Sequence, residues 1–393
     1  TILLVFISFG CENNSKETDP EIEPEIILTD NIKVYDSEQI HDNLSLLVKG
    51  GSLTSFLIDK KGNTVHEWNF ETKLGNDFEL LPDGKVIFVE RGGKIKVYDQ
   101  VKGEVSNIHK LNVTTKHEDG LLGIALDPNI KENNWVYLFY SDPEKIQQNI
   151  SRFTLKDNFM TWDTTSEKVL LEIATQRDEC CHSGGSLEFG PDGYLFISTG
   201  DDTNPHESDG YSPSDERKNR SPWDAQKSSA NSMDLRGKIL RIKPEADGTY
   251  SIPNGNLFSK DGSIGRPEIY VMGCRNPFRI AIDSHTGFLY WGDVGPDAGE
   301  DSLKRGPMGF DEVNQAREAG FFGWPYFIGD NQVYHKYDFE NKISLEPFDL
   351  KTTINNSPNN KGVNRLPAAQ PAFIWYPYGE SKEFPSVGDG GRN

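Results

Sequence analysis

Cysteine is scarce in this chain. Four residues, Cys11, Cys180, Cys181 and Cys274, are spread over 393 positions, which rules out a disulfide framework as the basis of the fold. No CxxC or Cys/His spacing of the zinc type is present. Basic charge is also short: 41 Lys and Arg stand against 61 Asp and Glu, for a formal net charge of −20. Such a surface repels nucleic acid and anionic membranes and argues against both as partners. No apolar run is long enough to span a bilayer as a helix. Helical periodicity is nearly absent as well, and the best helical candidate is the short run Asp311 to Ala319.

What the chain does have is glycine, 37 residues, and aromatics at 11%, a combination that favours strands joined by tight turns. Its start is distinctive. The residues from Thr1 to Phe9 are almost all apolar, Gly10-Cys11 follows, and a polar run begins at Glu12. This pattern reads as the end of an export signal (residues 1–11), with Cys11 as a lipidation site or with plain cleavage nearby. The basic stretch that normally opens such a signal is missing, so the sequence is expected to start part-way through it. The expectation is an exported bacterial protein, periplasmic, secreted or on the cell surface, that meets a membrane only through a lipid anchor. Residues 12–42, rich in Glu, Asp, Asn, Ser and Pro, read as a flexible acidic linker.

From residue 43 to 393 short apolar runs alternate with Asp-Gly turns. Leu81-Pro82-Asp83-Gly84 leads into Val86-Ile87-Phe88-Val89, Gly190-Pro191-Asp192-Gly193 into Leu195-Phe196-Ile197, and Asp283-Ser284-His285-Thr286-Gly287 into Leu289-Tyr290-Trp291. Hairpins repeated over so long a span predict an all-β chain and favour a β-propeller over a sandwich.

Five segments could carry chemistry. Glu118-Asp119-Gly120 enters an apolar strand. Cys180-Cys181-His182-Ser183-Gly184-Gly185 sets a histidine between two cysteines and small residues. The cysteines are either independent thiols or, in an exported protein, a vicinal disulfide. Asp201 ends the next strand, and a hairpin that folds back would bring its carboxylate to His182, as a general base requires. In Gly273-Cys274-Arg275-Asn276-Pro277, Arg275 can stabilise negative charge on an oxygen, and Asn276 can donate and accept at once. The acidic, glycine-rich run Trp291 to Asp301, followed by Asp311-Glu312-Val313-Asn314, offers carboxylates and free carbonyls suited to Ca²⁺. The last segment, Gly320-Phe321-Phe322-Gly323-Trp324-Pro325-Tyr326, reads as core or blade closure rather than as a stacking wall.

Taken in order, Asp119 to Pro128, His182 to Leu187, Gly190 to Gly193, Gly200-Asp201, Arg275 to Pro277, Gly295-Pro296, Asp311 to Asn314 and Gly323 to Pro325 resemble the glucose/sorbosone dehydrogenase family, over roughly residues 78 to 393. The resemblance implies a six-bladed propeller with pyrroloquinoline quinone (PQQ) over its central channel. It further implies that His182 takes the proton of a sugar or polyol hydroxyl while hydride passes to the quinone, and that Asp201 orients His182. Arg275 and Asn276 would contact the cofactor, Glu118 would lie near cofactor and substrate, and the Gly295 and Pro296 carbonyls would hold Ca²⁺. Electrons would pass to an external acceptor such as a cytochrome. Three departures stand out. Cys181 takes the place of an acid before the histidine, Glu118 stands where an amide is expected, and a long polar insert between Asp201 and Arg236 should reshape the substrate entrance. The family's basic residues that grip the PQQ carboxylates are expected beyond Asn393, together with the last blade. Two other functions share this sequence: a non-catalytic carbohydrate- or protein-binding propeller, and a Ca²⁺-dependent propeller lactonase.

Overall fold

Leu81-Pro82-Asp83-Gly84 folds into the predicted turn. Gly84 takes a positive φ of 85°, its amide donates to the Leu81 carbonyl at 2.9 Å, and the chain reverses into the strand Val86–Val89. Gly193 (φ 75°) and Gly287 (φ 72°) reverse the chain in the same way in the two later hairpins. The left-handed conformation is open to glycine at no steric cost, which explains why each turn carries one.

The computed structural model describes residues 2–7, 44–49, 54–69 and 76–377. Cys11 and the acidic run 12–42 lie outside the described residues. The strands Ile2–Ile7, Leu44–Lys49, Thr54–Ile58 and Thr64–Asn69 pair in sequence order into one antiparallel sheet.

Four further sheets follow in order. The first comprises Asp77–Leu80, Val86–Val89, Lys94–Asp99 and Glu104–Lys110, and the second Leu121–Leu126, Trp135–Ser141, Gln147–Lys156 and Lys168–Ala174. The third comprises Leu187–Phe189, Leu195–Thr199, Lys238–Pro244 and Ile269–Met272, with Gly320–Phe321 added in parallel at its edge. The fourth comprises Pro277–Ile282, Leu289–Asp293 and Asp311–Ala316, and is completed by Ile374–Tyr376.

The first strands of these four sheets lie side by side around a common centre. Asp77 accepts from the Ile124 amide at 3.2 Å, and Arg279 reaches the carbonyls of Asn76 and Leu122. Each sheet is therefore one blade of a β-propeller. Its apolar core sits between neighbouring blades. Ile87, Val89 and Ile95 of the first pack on Leu121, Ile124 and Leu138 of the second. Phe196, Ile239 and Val271 of the third pack on Ile280, Leu289 and Trp291 of the fourth. Each such side chain, taken fully from water, contributes about 2 kcal/mol.

One expectation is corrected. Asp311 to Ala319 is not a helix: Asp311–Ala316 is a strand paired with both Leu289–Asp293 and Ile374–Tyr376. Its helix-forming Glu, Gln, Arg and Ala residues are overridden by a period of two, which buries Asn314 and Ala316.

Candidate functional site

His182 sits on the irregular segment between Lys168–Ala174 and Leu187–Phe189, with its backbone in the left-handed region at φ 66°. A side chain with a β-carbon adopts this region only when its surroundings impose it. The surroundings here are specific. The His182 amide donates to Glu118 Oε2 at 2.6 Å, and the Ser183 amide donates to the same oxygen at 3.1 Å. The His182 carbonyl accepts from the Asp202 amide at 3.3 Å. It also packs so closely on Gly200 that a β-carbon there would stand 2.1 Å from the oxygen.

Asp201 follows the strand Leu195–Thr199, and its backbone amide donates to the Arg275 carbonyl at 2.8 Å. Its side chain is fully buried and triply satisfied. Oδ1 pairs with His182 Nδ1 at 2.7 Å and accepts from the Thr203 amide at 3.0 Å, while Oδ2 accepts from Trp324 Nε1 at 2.8 Å. A carboxylate on Nδ1 fixes the imidazole tautomer and leaves Nε2 as the basic nitrogen.

Arg275 and Asn276 precede the first strand of the fourth blade. Both of their backbone amides donate to Asp293, at 3.1 and 2.6 Å. Asn276 Oδ1 accepts from the Gly184 amide at 3.0 Å, which ties this segment to the histidine loop. The guanidinium of Arg275 donates to the Val294 carbonyl at 3.0 Å and lies 5.9 Å from the Trp324 ring centre.

Arg275, Asp293, Gly295, Pro296, Glu312 and Trp324 line one narrow crevice. The Gly295 amide donates to Asp311 Oδ1 at 2.9 Å. The Pro296 carbonyl faces Gly309 so closely that a β-carbon there would stand 1.7 Å from the oxygen. Burial raises the Asp293 carboxyl to about 7 and the Glu312 carboxyl to about 8, and Asp293 adds to the second shift. Main-chain oxygens beside the buried Asp293 and half-buried Glu312 carboxyls form a donor set suited to a hard cation such as Ca²⁺. The neighbouring guanidinium suits an anionic oxygen.

His182, Asp201, Arg275 and Asn276 thus converge, and Gly295 and Pro296 share the crevice with Arg275. Glu118 joins the same constellation, but through the amides of the histidine loop. Sequence reasoning missed two participants. Trp324 is core, as its segment reads, but its Nε1 also holds Asp201. Asp293 was assigned to a calcium loop, yet it fixes the backbone of Arg275 and Asn276. The polar insert packs on the Gly295–Pro296 loop. The Ala298 amide donates to the Gly210 carbonyl at 2.9 Å, Tyr211 Oη to the Glu300 carbonyl at 3.0 Å, and Arg305 to Asp209 and the Ser208 carbonyl at 3.2 and 2.9 Å. Cys180 and Cys181 are joined in a disulfide, and Cys274 is a buried free thiol.

Fold and site together define a β-propeller whose carboxylate-held imidazole lies beside an arginine-lined crevice. The chain belongs to the glucose/sorbosone dehydrogenase family, whose model matches residues 73–348. It is 25% identical over 270 residues to the aldose sugar dehydrogenase YliI of Escherichia coli, covering 67% of this chain and 62% of that one. To quinoprotein glucose dehydrogenase B of Acinetobacter calcoaceticus it is 26% identical over 279 residues, covering 66% and 53%. To the mouse Hedgehog-interacting protein it is 27% identical over 224 residues, covering 51% and 29%. The chain thus spans between 29% and 62% of these relatives' length. Among solved structures, the apo-form of the soluble aldose sugar dehydrogenase of Escherichia coli matches with a TM-score of 0.52 at 22% identity, covering 79% of this chain and 76% of that one. The PQQ-bound aldose sugar dehydrogenase of Streptomyces coelicolor matches with 0.51 at 21%, covering 78% and 68%. At these identities the two structures speak for the fold.

Proposed function

We propose that the protein oxidises a hydroxyl group of a sugar or polyol, with His182 as general base and with PQQ and Ca²⁺ as cofactors in a six-bladed ring. The observation that carries this reading is the 2.7 Å contact between His182 Nδ1 and Asp201 Oδ1, in a site that also holds Arg275. When bound, the quinone with its Ca²⁺ supplies the hydride acceptor.

The protein residues supply the rest. Nε2 of His182 takes the hydroxyl proton, which pushes electron density toward the carbon that loses hydride. Asp201 holds the ring and stabilises the imidazolium that forms. Arg275 offers its guanidinium to the oxygen on which negative charge grows. Gly295 and Pro296 would hold the metal through their carbonyls, and the Pro296 carbonyl keeps its place against Gly309. The electrons would go to an external acceptor such as a cytochrome.

Support comes from the family membership and from relatives named as sugar dehydrogenases. The likeness to the Hedgehog-interacting protein favours a second reading, a propeller that binds a protein or carbohydrate without turnover. One experiment separates them. The full-length protein is loaded with PQQ and Ca²⁺ and assayed for dye reduction with a panel of aldoses and polyols. Turnover that falls at least about 10²-fold in His182→Ala supports the dehydrogenase. No turnover with any donor, or turnover indifferent to His182, overturns it.

A further inference from the structure

The residues just before His182 form a second constellation that the proposed reaction does not use. Cys180 Sγ lies 3.8 Å from Nε2 of His206, whose ring is exposed. That nitrogen and both sulfurs of the Cys180–Cys181 pair all lie within 4.8 Å of one another. Among the described residues this is the one place where three such His, Cys, Asp or Glu atoms gather so closely.

The two loops are held together by contacts other than the disulfide. Asn204 Oδ1 accepts from the His206 amide at 2.8 Å, and Asn204 Nδ2 donates to Glu179 Oε2 at 2.6 Å. Gln176 brackets Glu179 from both sides: its Nε2 donates to the Glu179 carbonyl at 2.9 Å, and its Oε1 accepts from the Glu179 amide at 2.8 Å. Breaking the sulfur–sulfur bond therefore leaves both cysteines beside His206.

We propose that Cys180, Cys181 and His206 form a redox-gated site for a thiophilic divalent cation of the zinc and cadmium type. It is closed while the disulfide is intact and opened by two-electron reduction. In the opening step a dithiol gives up two electrons and two protons and becomes a disulfide. The bond between Cys180 and Cys181 breaks, and each sulfur takes one proton. Binding of the cation then releases those two protons to solvent, because thiolate is the ligand form. His206 contributes the lone pair of neutral Nε2, and water takes the fourth position. In a tetrahedral zinc site a thiolate sulfur and an imidazole nitrogen stand about 3.5 Å apart, close to the 3.8 Å already present here. Two thiolates with one imidazole form a soft donor set that selects such cations over Ca²⁺ and Mg²⁺. The net charge of −20 adds general attraction for a cation.

The test reads binding alone, so its result is independent of the dehydrogenase assay. The whole protein is reduced with dithiothreitol, desalted without oxygen and titrated with CdCl₂. Equilibrium dialysis gives the stoichiometry, and the ultraviolet thiolate-to-cadmium absorption reports the ligands. The expected result is one Cd²⁺ per reduced chain and none for the oxidised chain, with the native circular dichroism spectrum kept in both. Cys180→Ser combined with Cys181→Ser abolishes uptake, and Cys274→Ser leaves it intact. His206→Ala, a change at an exposed side chain, weakens binding by at least about tenfold. Failure of the reduced protein to take up Cd²⁺, uptake indifferent to His206→Ala or carried by Cys274, or loss of the fold on reduction each overturns the proposal.

Discussion

Trp324 holds Asp201 from the side opposite His182. The indole Nε1 donates to Oδ2 at 2.8 Å, while His182 Nδ1 contacts Oδ1 at 2.7 Å. The carboxylate is buried between them and cannot rotate without breaking one of these contacts. Trp324→Phe keeps the ring and removes the donor. Losing one hydrogen bond to a buried charged group costs roughly 1.5–3 kcal/mol. In the loaded enzyme kcat should fall about tenfold or more, with KM for the sugar little changed. Asp201→Asn, which offers the wrong partner to Nδ1, should cost about 10²-fold or more. Steady-state kinetics on the two variants check the order, and an unchanged kcat in Trp324→Phe would leave Trp324 without a positioning role.

Glu118 acts on the same histidine from the backbone side. Its Oε2 receives the amides of His182 and Ser183, and this pair of bonds holds the left-handed turn at His182. Glu118→Ala removes the acceptor, and the loop should relax toward a commoner conformation. We expect kcat to fall by about tenfold, and hydrogen exchange at the His182 and Ser183 amides to quicken. Glu118→Gln keeps a carbonyl acceptor and should restore most of both. A Glu118→Ala protein with unchanged exchange would place the cause of the turn elsewhere.

These relationships show which parts of the molecule could be read from the sequence. The Asp-Gly hairpins could, because their turns depend on local chemistry and recur. The pairing of His182 with Asp201 could as well, because one short hairpin separates them. Trp324 could not: 123 positions separate it from Asp201, and an aromatic cluster carries no signal of where one indole N–H points. Asp293 was visible as a carboxylate, but only the paired strands Pro277–Ile282 and Leu289–Asp293 aim it at the amides of Arg275 and Asn276. The strand Asp311–Ala316 was misread because its composition favours a helix, while its neighbours in the sheet decide the outcome.

Gly309 tests the proposed Ca²⁺ site. A β-carbon at this position would stand 1.7 Å from the Pro296 carbonyl oxygen, so Gly309→Ala must push that carbonyl aside. The Ca²⁺ concentration needed for half-maximal reconstitution with PQQ should rise at least about tenfold, as it does when the support of a metal ligand is lost. The melting temperature without Ca²⁺ provides the control for general damage. Unchanged Ca²⁺ dependence would remove Pro296 from the ligand set.

Glu188 lies on the innermost strand of the third blade, near Glu79 and Asp77 of the first. Burial, and then the charge of Asp77, raises its carboxyl to about 8. Glu79 is pushed well above its ordinary value, first by burial and then by Glu188 and Asp77. An unfolded glutamate titrates near 4.3, so between roughly pH 4.5 and pH 8 the folded protein holds a proton that the unfolded chain has lost. Linkage then makes the contribution of Glu188 to stability complete below this window, and lost as pH rises through it. Glu188→Gln carries no charge at any pH. It should match the wild type at about pH 4 and melt about 3 °C higher at about pH 8.5. Calorimetric melts of both proteins across this range provide the check. Parallel curves would mean that Glu188 is already ionised in the fold, and that water in the propeller axis solvates it.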